Sequence, residues 1–213
     1  MGDEASVDVE VVVRPEVPHL YFWALQVSFQ ASRRPVGGAH LGLQWNPRHP
    51  GNTAVNWGGY AADGSVLGGS PSALPSAPGD PNTRDYPWEQ GTVYRLVISP
   101  GSRPGGWRGS VMDLSTGRES TVRELDVGGN RLTDPVVWAE VFARCDDPST
   151  EVRWSRPRLR LGTEVAIPHG VRVTYQSERD GGCSNTDVRS AEGVVQVTNT
   201  ARTSRDRTRL GWS

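Results

Sequence analysis

Valine stands at positions 7, 9, 11 and 13, with Asp8 and Glu10 among the residues between. An apolar repeat every second residue is the signature of a β-strand with one buried face. The same period returns along most of the chain. Tyr21, Trp23, Leu25, Val27 and Phe29 alternate with residues that include Gln26, Ser28 and Gln30. Leu41, Leu43 and Trp45 alternate with His40, Gly42 and Gln44, Val55 and Trp57 flank Asn56, and Tyr94, Leu96 and Ile98 form one face of a further run. Residues 106–126 predict a hairpin turning at Ser115-Thr116-Gly117, and further strands are expected at 136–144, 150–161, 171–177, 193–199 and 207–212. The segment 136–144 tolerates either helix or strand, and its valines and the preceding Pro135 favour strand.

No window carries a long period of 3.6, so no helical crossovers are available to join parallel strands. The chain therefore predicts an all-β fold, an antiparallel β-sandwich forming a single domain over residues 1–213. A domain of this length can bury roughly 70% of its unfolded surface without a metal or disulfide staple. The stretch 61–91 stands apart, rich in Gly, Pro, Ser and Asp. It predicts one ordered loop crossing a sheet face, anchored by Tyr86 and Trp88, because loops this long in compact domains are functional or disordered and disorder avoids aromatic residues.

Charge excludes several functions. The 23 basic and 24 acidic residues nearly cancel, and no basic stripe of the kind that tracks nucleic acid is present. The tail TARTSRDRTRLGW, with four arginines, is expected to be a solvated edge strand. No apolar stretch of about 20 residues exists to span a membrane as a helix. Every basic residue is Arg, so Schiff-base, P-loop and pyridoxal-anchoring lysine chemistry is excluded. The acidic start, MGDEASVDVEVVV, lacks the basic and apolar regions of a secretory leader and predicts a cytoplasmic chain, or a secreted one if a leader had been removed. Cys145 and Cys183 both lie beside turn-forming residues; they would pair in a secreted chain and remain reachable free thiols in a cytoplasmic one. No zinc spacing, nucleophile elbow or phosphate-binding glycine motif occurs, so neither a metal nor a cofactor is expected. Loop residues Asp80, Asp85, Asp146 and Asp147 serve turns more readily than calcium.

Four stretches together resemble a bacterial family: GGAHLGLQWN (37–46), TAVNWGGY (53–60), YPWEQGTVYRLVIS (86–99) and GWRGSVMDLSTGRE (106–119). The family is the domain of unknown function numbered thirty-four seventy-two, and the resemblance covers about residues 20–160. It implies a concanavalin-like or jelly-roll sandwich and, as a possibility, lectin-like carbohydrate recognition, with no catalytic residue to carry over.

The alternation itself selects candidate site residues. With Trp23, Leu43, Trp57 and Leu96 in the core, Gln26, His40, Gln44, Asn56 and Arg95 point the other way. Amides and a guanidinium are the groups that fix hydroxyl or carboxylate ligands. Tyr60, Trp88 and Trp107 would add stacking surfaces. The expected function is binding of a carbohydrate or similar polyhydroxylated ligand on this face. The alternative is a small intracellular enzyme of cyclase, isomerase or glycosidase type, enclosing a small molecule. There Glu140, set among apolar neighbours in Trp138-Ala-Glu-Val-Phe142, would be the acid or base and Asp113 its partner carboxylate. The partner is a small molecule or sugar rather than nucleic acid or membrane, and the oligomeric state is open.

Overall fold

Strand β1 (Glu4–Val13) shows why the pattern forms a sheet: Ala5, Val7, Val9 and Val11 are all but sealed from solvent, while Glu10 on the opposite face is half-exposed. In the computed structural model, which describes residues 2–75 and 80–212, β1 lies in the middle of an eight-stranded antiparallel sheet. On one side it pairs with β6 (Val93–Pro100), followed by β7 (Gly106–Asp113) and β8 (Glu119–Asp126). On the other it pairs with β10 (Glu151–Leu161), followed by β14 (Val194–Val197) and β13 (Asp187–Ser190), while β11 (Glu164–Ala166) folds back on β10.

A five-stranded antiparallel sheet faces it, in the order β5 (Thr83–Asp85), β4 (Thr53–Ala61), β3 (Arg34–Trp45), β2 (Tyr21–Ala31), β9 (Arg131–Val141). A small ribbon of β12 (Gly170–Arg172) and β15 (Arg209–Gly211) completes the fold. Among the described residues there is no α-helix, only two short 3-10 turns. The all-β antiparallel sandwich read from the sequence is thus the fold. The ambiguous segment is strand, beginning earlier than expected, at Arg131. The last three expected strands are shorter than read, because irregular chain without ladder pairing takes over at 173–177, 198–208 and 212.

Aromatic residues dominate the core between the sheets. Trp23, Trp57, Trp107 and Trp154 are among the largest fully buried side chains. The Trp57 indole crosses from the five-stranded sheet onto β7, where a Cβ on Gly109 would lie 2.6 Å from its Cγ, so only glycine lets the ring seat there. A smaller cluster of Val173, Val188 and Val194 lies at the C-terminal end, and Trp212 packs against both.

The described parts of the expected loop have a structural task. Leu67 N–H donates to Gly59 O (3.0 Å) on β4, and Ser70 N–H donates to Glu124 O (2.8 Å) on β8. The loop therefore laces together the two sheets along one open side of the sandwich. Residues 76–79 of the expected loop lie outside the described residues. Tyr86 and Trp88 anchor its end as read from the sequence, with Trp88 Nε1 donating to Gln44 O at 2.9 Å.

Of the two outcomes left open for the cysteines, pairing is the one the fold adopts. Cys145 and Cys183 form a disulfide with Cα atoms 5.6 Å apart. The turn residues beside each cysteine bring the two loops together. Asn185 Nδ2 donates to Cys145 O (2.6 Å) and Asn199 Nδ2 to Asp147 O (3.0 Å).

Candidate active site

Strand β9 is an edge strand over much of its length. Among the described residues it pairs with β2 on one side only, apart from a bridge between Gly2 and Leu132. Pro135 fits such a strand, since a proline inside a sheet is tolerated where its missing N–H faces outward. Phe142 N–H donates to Leu20 O at 2.9 Å. With the register Tyr21↔Val141 and Phe22↔Glu140, this fixes the parity of the ladder. The backbones of Val136, Trp138 and Glu140 bond to β2, and the N–H and C=O groups of Val137, Ala139 and Val141 point away from it.

A cavity of about 890 Å³ lies along this free edge. Its lining includes Trp138, Ala139, Glu140, Val141 and Phe142 in unbroken succession. Successive strand residues alternate faces, so a cavity touching all five wraps the edge itself. The far wall is Val152 of β10, Thr150 just before it, and Gln196 and Val197 of β14, and the C-terminal segment contributes Tyr175, Gln176 and Gly182. Both disulfide cysteines line it as well. The cavity thus fills the side of the sandwich that the 62–82 loop leaves open.

The outer face of the five-stranded sheet supplies its polar groups. Glu140 is exposed, on the same face as Trp138. Phe22, His40 and Trp138 form an edge-to-face trio with ring centroids 5.0 to 5.8 Å apart. Trp138 Nε1 donates to Gln26 Oε1 at 3.0 Å, which turns the other end of that amide, a two-proton donor, away from the indole. His40 sits directly across from Gln26. Burial lowers its pKa below the usual 6.5, favouring the neutral imidazole at pH 7. Gln26 and Glu140 are separated along the strands by four residues of register, roughly 13 Å. They bracket Trp138 and do not form a contacting pair. The site therefore offers a carboxylate, an amide donor, a neutral imidazole and a row of free backbone groups.

Of the residues expected at the site, Gln26, His40, Tyr60 and Glu140 line this cavity. Gln44 and Asn56 share the outer face but are buried: Gln44 Oε1 accepts from Asn46 Nδ2 (3.0 Å), and Asn56 Nδ2 donates to Thr83 Oγ1 (2.9 Å) beneath β5. Trp88 and Trp107, expected as exposed stacking platforms, are core residues at 4% and 2% exposure, because the segment carrying Trp88 folds back over the sandwich and Trp107 lies on β7 with its ring against Phe29. Arg95 belongs to the other sheet, where its Nε and Nη2 donate to the two carboxylate oxygens of Asp8 at 2.7 and 3.0 Å. Asp113 also belongs to that sheet, and its Oδ1 accepts from Ser115 N–H and Oγ in the β7–β8 turn, so it is no partner for Glu140.

Asp8 is fully buried and depends on Arg95, with Arg156 a longer contact at 3.6 Å. Its hydrogen bonds raise the Arg95 pKa further above the ordinary value. Arg95→Ala is therefore expected to destabilise the chain by about 3 kcal/mol, the low end for breaking a buried pair because Arg156 remains. Urea unfolding of this variant would reveal an error in the assignment if the loss were below about 0.5 kcal/mol, the range of an ordinary surface position.

No family model matches the sequence, and no curated protein does. Among solved structures, the chain is similar to aspergilloglutamic peptidase from Aspergillus niger, with 14% identity over 84% of this chain and 99% of that one and a TM-score of 0.48. It is similar to Scytalido-glutamic peptidase solved with a peptide-based transition-state analogue, at 10% identity over 93% of each chain and a TM-score of 0.44. It is also similar to SCP-B, a member of the Eqolisin family of peptidases in complex with the tripeptide Ala-Ile-His, at 10% identity over 93% and 92% of the chains and a TM-score of 0.41. The carbohydrate-binding expectation is corrected: both expected tryptophan platforms are core, and Arg95 lies on the other sheet.

Proposed function

We propose that the chain is a hydrolase of an extended, amide-bonded substrate that adds as a strand to the free edge of β9, with Glu140 as the acid–base group. The observation that carries this reading is the pair of edge residues Ala139 and Val141, whose outward N–H and C=O groups open onto the cavity, with Val137 continuing the same free edge beyond the cavity's lining. Such groups recur at every second residue, about 6.6 Å apart. An extended peptide backbone presents complementary donors and acceptors at that repeat, the basis of strand-addition recognition. A sugar or compact metabolite does not.

Glu140 stands between two of the edge residues, so its carboxylate lies beside the docked backbone. As a carboxylate it takes a proton from a water that attacks the amide carbon, and it returns a proton to the leaving nitrogen. Amide N–H donors such as that of Gln26 are of the type that hold substrate carbonyls along the same face. The Cys145–Cys183 bond supports an oxidising compartment over the reducing cytoplasm.

The reading is tested with a library of internally quenched peptides and the variant Ala139→Pro. This substitution deletes an N–H that points to the cavity and leaves the ladder to β2 intact. Loss of one hydrogen bond, about 1 kcal/mol, predicts a roughly five- to tenfold rise in KM with little change in kcat or melting temperature. An unchanged KM in the folded variant argues against edge docking. Absence of peptide cleavage by the wild type across the library removes the hydrolase reading.

A further inference from the structure

Two buried arginines meet on the opposite side of the molecule from the cavity walls of β9. Arg84 comes from β5 of one sheet and Arg123 from β8 of the other, and they are only 9% and 5% exposed. Arg84 Nη1 donates to the backbone oxygens of Asp80 (2.8 Å) and Thr83 (2.9 Å). Arg123 Nη1 donates to Pro81 O (3.0 Å) and Asn82 Oδ1 (2.9 Å). All four acceptors are neutral.

Among the described residues neither guanidinium makes an ion pair, and the Nε of each is buried without a hydrogen-bond partner. The acidic groups nearby are engaged elsewhere. Asp80 accepts from Asn82 N–H and Thr83 Oγ1, and Asp126 pairs with Arg103 at 2.6 Å. Burial and the neighbouring Arg84 charge lower the Arg123 pKa, and the more distant charges of Asp126 and Asp80 offset this only in part. Gly69 leaves room for the second cation, since a Cβ there would come within 2.8 Å of Arg123 Nη2.

Burying two like charges without a contacting counter-ion is costly, and buried arginine is ordinarily paired. Two guanidinium forks with unused donors are the complement of a tetrahedral oxyanion, which each fork can bind through two oxygens. We propose that Arg84 and Arg123 form a binding site for a phosphate-type dianion, held where the loop crosses from β4 to β8. Occupancy neutralises both cations and ties the two sheets together through one ligand. This site is independent of Glu140 and of the proposed hydrolysis.

The test is thermal unfolding of the full chain at pH 7, with sodium phosphate replacing sodium chloride at constant ionic strength. The expected result is a saturable rise in melting temperature. Arg84→Met, which leaves the Arg123 anchor to Asn82 in place, should weaken the phosphate response at least tenfold, and Arg123→Met should do the same if it folds. Calorimetric titration of wild-type protein with inorganic phosphate supplies a readout that needs no variant. Titration with glycerol phosphate distinguishes a site for free phosphate, which excludes the ester, from one for phosphate esters, which admits it; either supports the dianion site. A melting temperature indifferent to phosphate together with no binding heat overturns the proposal, and so does a phosphate response that persists in Arg84→Met.

Discussion

Removing the Cys145–Cys183 bond is expected to cost about 4 kcal/mol of stability, the chain-entropy value for a closed loop of this size. The two cysteines are 38 residues apart in sequence. The closed segment contains the whole of β10 and β11, so its release enlarges the unfolded ensemble more than that of a local turn would. In the native state the same loops remain joined by Asn185 to Cys145 O, Asn199 to Asp147 O and Arg202 to Cys183 O. The loss is therefore expected in the unfolding midpoint, with the fold retained. Guanidinium unfolding of the oxidised wild type against Cys145→Ser/Cys183→Ser measures it. A difference below about 1 kcal/mol would mean that the reduced chain keeps these loops together even when unfolded.

What the sequence made legible follows from what a period of two can carry. The sheet faces were readable strand by strand: Val7, Val9 and Val11 go in, and so do Trp23, Leu43 and Trp57. Period two reports a face but not a sheet. Gln44 and Arg95 look equivalent in sequence, each polar between apolar neighbours, yet they sit on different sheets because β3 and β6 are not hydrogen-bonded neighbours. The same gap misplaced Asp113 beside Glu140. Trp88 and Trp107 were misread for another reason. Their Gly- and Pro-rich surroundings signal loops, and loops are ordinarily exposed, but here Trp88 packs edge-on against Trp23 at 5.8 Å and Trp107 against Phe29 at 4.9 Å. The disulfide was open between two outcomes because pairing depends on distance, not on turn residues alone. The free edge of β9 did leave one trace, Pro135 inside a strand. The Arg84–Arg123 pair left none, since each comes from a different sheet and meets the other only after the loop has closed.

Glu140→Gln separates chemistry from docking. The amide keeps the size of the carboxylate and much of its hydrogen bonding but cannot take a proton from water. On peptides that the wild type cleaves, kcat is expected to fall by roughly two to four orders of magnitude, the usual contribution of a positioned acid–base group. The KM should stay within a few fold, because the edge that binds the backbone belongs to Val137, Ala139 and Val141 and the variant leaves it untouched. Ala139→Pro has the opposite signature, raising KM and sparing kcat. Stability should change by less than about 0.5 kcal/mol, since Glu140 is exposed and makes no ion pair among the described residues. If edge docking and proton transfer are separate, the double variant shows both effects in full, with the losses in kcat/KM multiplying. A Glu140→Gln protein that retains its turnover number assigns the proton transfer to another group on this face. The same kcat loss accompanied by a large fall in stability would instead make Glu140 a structural residue.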